Sequence, residues 1–451
     1  MKSVVKAFTM IMILALAACA APTPQPTSKP PAPTQGLEPQ KTPPPSPTVS
    51  LQSIKLAQST RSRVTSPVVS EGELRTLVDG NTAFAFDLFQ KLRSADGNLF
   101  FSPHSISVAL AMTYAGAREA TEKEMGQTLH YSLPQTRLHL AFNALDLALA
   151  SREKTTPDGK GFKLRVVNSL WGQVDYNFLP EFLDVISMNY GAGLRLLNFQ
   201  AAPDPSRQVI NQWVEQQTEK KVKDLLPPDS IKPITRLVLV NAIYFNAAWY
   251  KPFTKESTRE GAFTPLSGSV VNVPMMRKSD TLSYAEGTGY QVVELPYEGR
   301  KLSMVVILPA PGQYGQFESS LTGAKVSDIV NSLDRAQVNL VMPKFSTTSS
   351  FALAETLSAM GMPLAFNRNA DFSGMDGTKK LMISDVFHKA FVNVDEDGTE
   401  AAAATAVVIV EKSAAPLLKT VNMTIDRPFI FLIRDIETGA ILFVGRIVNP
   451  A

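Results

Sequence analysis

Two stretches, Leu237 to Trp249 and Leu302 to Leu308, are apolar runs too continuous to alternate between core and water. Runs of this length and composition are strands buried on both faces, so the chain has to place them inside a sheet that is covered on both sides. A third strand-like run, Ile383 to Val394, leads directly into a segment with no clear preference. The first half has a different period. Leu74, Leu77, Val78, Phe84, Leu88 and Leu92 recur at near-helical spacing, and Leu138, Phe142, Leu145 and Leu149 mark a second helical face. Ser102-Pro103 reads as an N-cap with proline in the first turn and Gly116 as the stop, and Thr121 with Glu124 matches a capping box. Near the end, Phe429 to Arg434 and Ala440 to Ile447 flank a Glu437-Thr438-Gly439 turn and read as a hairpin. Helices early and strands late, with no βαβ rhythm and no internal repeat, predict an α+β domain.

The length of 451 residues admits two or three domains, but the composition describes one large domain, residues 71–451, behind a tail. Residues 1–18 carry Lys2 and Lys6, an apolar run from Ile11 to Leu16 and a small-residue end, the pattern of a secretory signal peptide. That run is short for a permanent span. The single cysteine, Cys19, follows Leu16-Ala17-Ala18, where a bacterial lipoprotein signal places the residue that is lipidated. An ordinary signal peptide that ends in a cysteine is the alternative. With one thiol there is no intramolecular disulfide, so the core alone must supply stability. From residue 19 to about residue 70 the chain is rich in Pro, Ser, Thr and Gln, which suits an unfolded tether more than a core. Lipidation at Cys19 would anchor the protein to a membrane, with the tether holding the domain off the outer face of a bacterial membrane.

A formal net charge of +3 gives no argument for a nucleic-acid partner, and no basic stripe is interleaved with aromatics. Arg137, Arg152, Lys154, Lys160, Lys163 and Arg165 form a basic region that reads as solvated surface, with a polyanion-binding face as the alternative. Catalytic and metal signatures are missing: there is no HExxH, no GxSxG, no cysteine cluster and no phosphate-cradling loop. No cofactor or metal is implied, and a triad assembled across the fold around one of the four histidines has no positive support.

The segment EDGTEAAAATAVVIVEKS, Glu396 to Ser413, combines opposed propensities. Ala401 to Ala404 suit a helix, whereas Val407 to Val410 are strand formers. As a strand, it would present Thr399, Ala401, Ala403, Thr405, Val407 and Ile409 on one face, small at its leading end and apolar behind. A segment with two plausible conformations is a candidate switch.

This pattern resembles the reactive-centre loop of the serpins, suicide inhibitors of serine proteases, and within them the antithrombin type. The resemblance runs from about Glu73 to Pro450 through NLFFSPHSISVALAMTYAGA, NSLWGQ, NAIYFNAAWYKPF, MPKF, FHKAFVNVDEDGTEAA and DRPFIFLIRDIETGAILFVGRIVNP, in serpin order. It implies a serpin fold, with N-terminal helices packed on a large mixed sheet, smaller sheets beside it and an exposed loop. It also implies a monomeric protease inhibitor that is not itself an enzyme. Glu396, Gly398, Thr399, Glu400 and Ala401, Ala402, Ala403 and Ala404 match the hinge; Ser105, Asn241 and His388 match the shutter, a polar cluster beneath the main sheet; Lys344 and Glu396 match an ion pair at the insertion point near Trp249. Outside the resemblance, His388 reads as a core histidine satisfied by its neighbours, and Lys344 and Glu396 as surface charges. Counting from the hinge places the scissile bond at Lys412-Ser413, which suits a trypsin-like partner; a cysteine protease is a further candidate. The stretch between Ser413 and Arg427 is longer than the antithrombin-like pattern, so Lys419 or a bond near Leu417 and Leu418 remains an alternative bait. A non-inhibitory serpin acting as a surface binding module is the rival reading, and the small hinge residues speak against it.

Overall fold

The computed structural model describes residue 51 and residues 54–152, 163–399 and 418–451. The signal peptide, Cys19, Glu400 to Ala404, Lys412 and Ser413 lie outside the described residues. In chain order the strands are β1 (Lys55–Ala57), β2 (Leu99–Phe101), β3 (Lys163–Gln173), β4 (Leu194–Leu197), β5 (Leu237–Ala248), β6 (Arg259–Phe263), β7 (Val271–Gly287) and β8 (Tyr290–Pro296). They continue with β9 (Leu302–Pro309), β10 (Asp334–Pro343), β11 (Phe345–Ala352), β12 (Asp385–Val394), β13 (Gly398–Thr399), β14 (Thr420–Thr424), β15 (Phe429–Asp435) and β16 (Ile441–Ile447). Among the described residues these form a seven-stranded sheet, ordered β1-β4-β3-β5-β13-β12-β11, and a nine-stranded sheet. The predicted buried runs became β5 and β9, and β9 is buried at every position. The terminal hairpin is β15 paired with β16.

The helices needed here are α1 (Glu71–Leu92), α2 (Pro103–Tyr114), α3 (Glu119–Thr128), α4 (Gln135–Ala150), α5 (Pro180–Tyr190) and α6 (Pro203–Gln217). Local chemistry sets their ends. Ser70 Oγ accepts the Glu73 amide while Glu73 returns a bond to the Ser70 amide, a reciprocal cap at the start of α1. Ser102 caps α2, with Pro103 in its first turn. Gly116 is not the left-handed stop expected after α2; its position needs glycine because a Cβ there would run into the Met375 side chain. The capping box expected at Thr121 and Glu124 is also absent. Thr121 lies inside α3, which starts at Glu119, and its hydroxyl accepts the Asp371 amide while Glu124 accepts the Leu364 amide. Both side chains bind a distant segment, a use that the four-residue spacing does not reveal.

The folded body also begins before residue 71. β1 pairs antiparallel with β4 at one edge of the seven-stranded sheet. Arg63 reaches Asn143 at 2.9 Å and Asp146 at 2.5 Å, and the Val64 amide donates to the Met188 carbonyl at 2.9 Å. Backbone pairing and two carboxylate or amide partners hold a segment whose composition alone gives it no core to join.

The main core fills the space between the two sheets and α1 to α4, with Phe84, Phe86, Phe100, Phe101 and Phe142 fully enclosed. A smaller core lies under α6, where Val209, Ile210 and Val214 meet Trp171, Phe199, Val238 and Val240. β5 is therefore covered on both faces, as its composition demands.

Candidate functional site

β5 and β12 run parallel along seven residue pairs, from Asp385 against Val238 to Phe391 against Tyr244. Their neighbours β3 and β11 are antiparallel to them. The sheet is thus antiparallel around a parallel seam, and parallel pairing is slightly weaker per residue. Above Phe391 the two strands separate, and β13 sits between them: Gly398 and Thr399 pair with Ala248 and Ala247 on one side, and Thr399 pairs with Val394 on the other. The segment matched to the hinge thus forms a two-residue strand at the head of the seam.

Glycine and threonine are each required there. A Cβ at position 398 would run into the Ala247 carbonyl oxygen. Thr399 is fully buried, and its hydroxyl meets the Tyr297 hydroxyl at 2.8 Å. The turn before them is locked by Asp395, whose carboxylate accepts the amides of Asp397 and Gly398. Burial raises the Asp395 carboxyl above its ordinary range, against the lowering pull of those two amides.

Ion pairs flank the head of the seam. Lys344 Nζ lies 2.8 Å from Glu396, as the resemblance implies, and the other Glu396 oxygen accepts the Thr258 hydroxyl at 2.7 Å. Burial alone would raise the Glu396 carboxyl, but the bonds from Lys344 and Thr258 outweigh it and hold it below its usual range. Lys255 makes a second pair with Asp397 at 2.8 Å that sequence reading did not identify. Trp249 closes the top: its amide donates to the Asp397 carbonyl, its indole donates to the Asp395 carbonyl, and its ring stacks on Tyr297 at 4.7 Å.

Ser105, Asn241 and His388, the residues matched to the shutter, meet halfway down the seam, in full burial. His388 Nε2 accepts the Ser102 amide at 3.1 Å, which leaves Nδ1–H to donate to the Asn241 carbonyl oxygen. The Asn241 amide donates to both Ser105 Oγ and Asn168 Oδ1, and Ser105 Oγ donates to Asn168 at 3.0 Å. Burial pushes the His388 imidazole down to about 3, so the ring is neutral, as the bond from Ser102 requires. Ser102 and Asn168 complete the cluster and had not been assigned to it. The available signal was Asn168 itself, a half-buried amide in the block NSLWGQ that needs partners. The bonds of this cluster join β3, β5, β12 and the start of α2, and the one from His388 to Asn241 crosses from β12 to β5, the line where the strands would part.

Arg137 and Arg152 do not offer a free basic face. Arg137 is paired with Glu73, and Arg152 with Asp435 and Glu437. Lys419, the alternative bait, pairs with Glu286 at 2.6 Å and gives its carbonyl to Gln337 at the start of the β14–β10 ladder.

Comparison with known proteins agrees with this geometry. Residues 79–450 match the family described as Serpin (serine protease inhibitor). An uncharacterised serpin-like protein of Thermococcus kodakarensis is 39% identical over 85% of this chain and 88% of its own length. The leukocyte elastase inhibitor of Homo sapiens is 39% identical over 84% of this chain and its full length. Among solved structures, human thyroxine-binding globulin complexed with thyroxine superposes with a TM-score of 0.74 at 31% identity, over 84% of this chain and all of its own. A sheet with a seam that its own downstream segment has begun to fill, together with a family match over most of the chain and relatives that include protease inhibitors, establishes that the chain belongs to the serpin family.

Proposed function

We propose that this protein inhibits a trypsin-like serine protease as a suicide substrate. The protease serine attacks the Lys412 carbonyl, the bond to Ser413 breaks with its amine leaving, and an ester joins the enzyme to Lys412. Residues from Thr399 onward then insert between β5 and β12 and carry the enzyme away before water can cleave the ester. The observation that carries the proposal is the seating of Gly398 and Thr399 in the opened head of the seam, ahead of a small-residue segment.

The energetics are adequate. An antiparallel insert replaces one ladder of seven pairs by two. The net gain is on the order of 7 hydrogen bonds at ~1 kcal/mol each. Burial of Val407 and Ile409 adds ~1.5 to 3 kcal/mol apiece. The total, on the order of 10 kcal/mol, matches whole-domain stabilities of ~5 to 15 kcal/mol, enough to distort a captured protease. The uncleaved form is then a kinetic trap, held by the polar shutter and the hinge ion pairs. From residues 16–19 we further propose attachment by a lipid at Cys19 to the outer face of a bacterial membrane.

Incubation of the soluble domain with trypsin tests the reading. The expected product is a complex that survives boiling in detergent, with mass spectrometry of the released peptide placing the cut after Lys412. Cleavage without a complex would overturn inhibition in favour of a binding role, and a cut after Lys419 would move the bait.

A further inference from the structure

Trp249 also lines a cavity of about 260 Å³ whose walls carry four cations. Lys251, Lys278, Arg300 and Arg335 line it, and Asp280 is the acidic residue among its lining groups. Asp280 is already engaged, accepting Lys251 Nζ at 2.7 Å and the Thr281 amide at 2.8 Å, while Lys278 stands off at 3.9 Å. Among the described residues, Arg300 and Arg335 have no carboxylate within ion-pair distance. The Arg300 guanidinium instead lies over the Tyr250 ring, 5.1 Å from its centre. Arg300 sits in a turn with φ +56°, a conformation that glycine or asparagine adopts more easily.

Lys278 is the deepest of the four cations. Only 11% of its side chain is exposed, and its ammonium donates to the Lys251 carbonyl and lies 4.9 Å from the Phe253 ring. That leaves hydrogen-bond capacity on a desolvated cation, and burial pulls it down to about 8. Three cations in excess of local acid, around a space from which water is partly excluded, repel one another unless an anion joins them.

We propose that this cavity binds a compact oxyanion of the pyrophosphate class, with Lys278 at its floor and the guanidinium forks of Arg300 and Arg335 at its mouth. Guanidinium groups match the paired oxygens of phosphate, and a buried ammonium supplies a point charge beneath them. The size of the cavity favours a small, multiply charged ion over a polymer. The same Trp249 that walls the cavity holds the carbonyls of Asp395 and Asp397. An anion bound there joins β7, β10 and the turn after β8 beside Trp249 and Lys251, the residues that follow β5, and it should slow opening in the uncleaved protein. This consequence rests on the insertion mechanism above, whereas the binding site does not.

Calorimetric titration of the uncleaved protein with sodium pyrophosphate tests the site, using the wild type, Lys278→Met and Arg300→Ala. The expected result is saturable binding that weakens as salt rises, with affinity at least about tenfold lower in each variant. Absence of saturable binding, or equal affinity in wild type and Arg300→Ala, overturns the site. Arg300 is largely independent of the core, so its variant keeps the test decisive if Lys278→Met folds poorly. A synthetic peptide of residues 399–410 should insert more slowly with pyrophosphate present. Unchanged insertion beside clear binding overturns the coupling to the seam and leaves the site standing.

Discussion

His388 illustrates how one buried ring can tie two strands of a sheet to the start of a helix. Its two nitrogens take opposite roles, acceptor from Ser102 and donor to Asn241, and only the neutral imidazole can do both. The native fold holds it down at about 3, and burial holds His104 and His139 down at about 4. In the unfolded chain these rings protonate below about 6.5. Their contribution is therefore complete above that pH and is lost as pH falls toward the folded values, at ~1.4 kcal/mol per unit for each ring. Urea midpoints should drop markedly between about pH 7.5 and about pH 5; a flat profile would show that the rings are not buried neutral. Asn241→Ala should orphan the His388 Nδ1–H, at ~1 to 3 kcal/mol, and leave Ser105 Oγ and Asn168 Oδ1 with only their bond to each other. Native gels after warm incubation should show it converting to polymer or to a self-inserted form faster than wild type. An unchanged rate would mean that the cluster only fills space.

Of the residues matched to the hinge, Glu396, Gly398 and Thr399 are described, and the last two pair as β13 between β5 and β12. Thr399→Arg should stop the proposed insertion, because position 399 is fully buried against Tyr297 and a guanidinium there would be desolvated without a carboxylate. The variant should be cut by trypsin at a normal rate yet form little detergent-stable complex, at least about tenfold less than wild type; retained complex would mean that insertion does not start at 399. The Lys344–Glu396 pair was legible through the resemblance, since neither residue is unusual by itself. Asn168 and Ser102 were not assigned, because their roles depend on register. Asn168 faces Asn241 only because β3 and β5 align those two positions.

At the scale of the whole molecule, the proposed mechanism requires the uncleaved fold to lie above a more stable arrangement of the same chain. Proteolysis of the loop should raise the melting temperature by more than about 10 °C, because a ladder is gained and apolar side chains are buried at once. Calorimetry before and after cutting checks this, and an unchanged or lower melting temperature would remove the driving force from the proposed mechanism. The segment from Ile54 to Ser70 belongs to this accounting, since β1 is a strand of the sheet that the proposed insertion would open.

The sequence by itself determined the fold class, the buried strands and the small-residue hinge, because these follow from local composition and periodicity. Only the tertiary structure decided which polar groups meet across the seam, that residues 54–70 join the body, that Thr121 and Glu124 bind a distant segment, and that four cations share one cavity with Trp249. Those outcomes depend on strand register and on contacts between residues far apart in the chain, and neither leaves a mark on local sequence pattern.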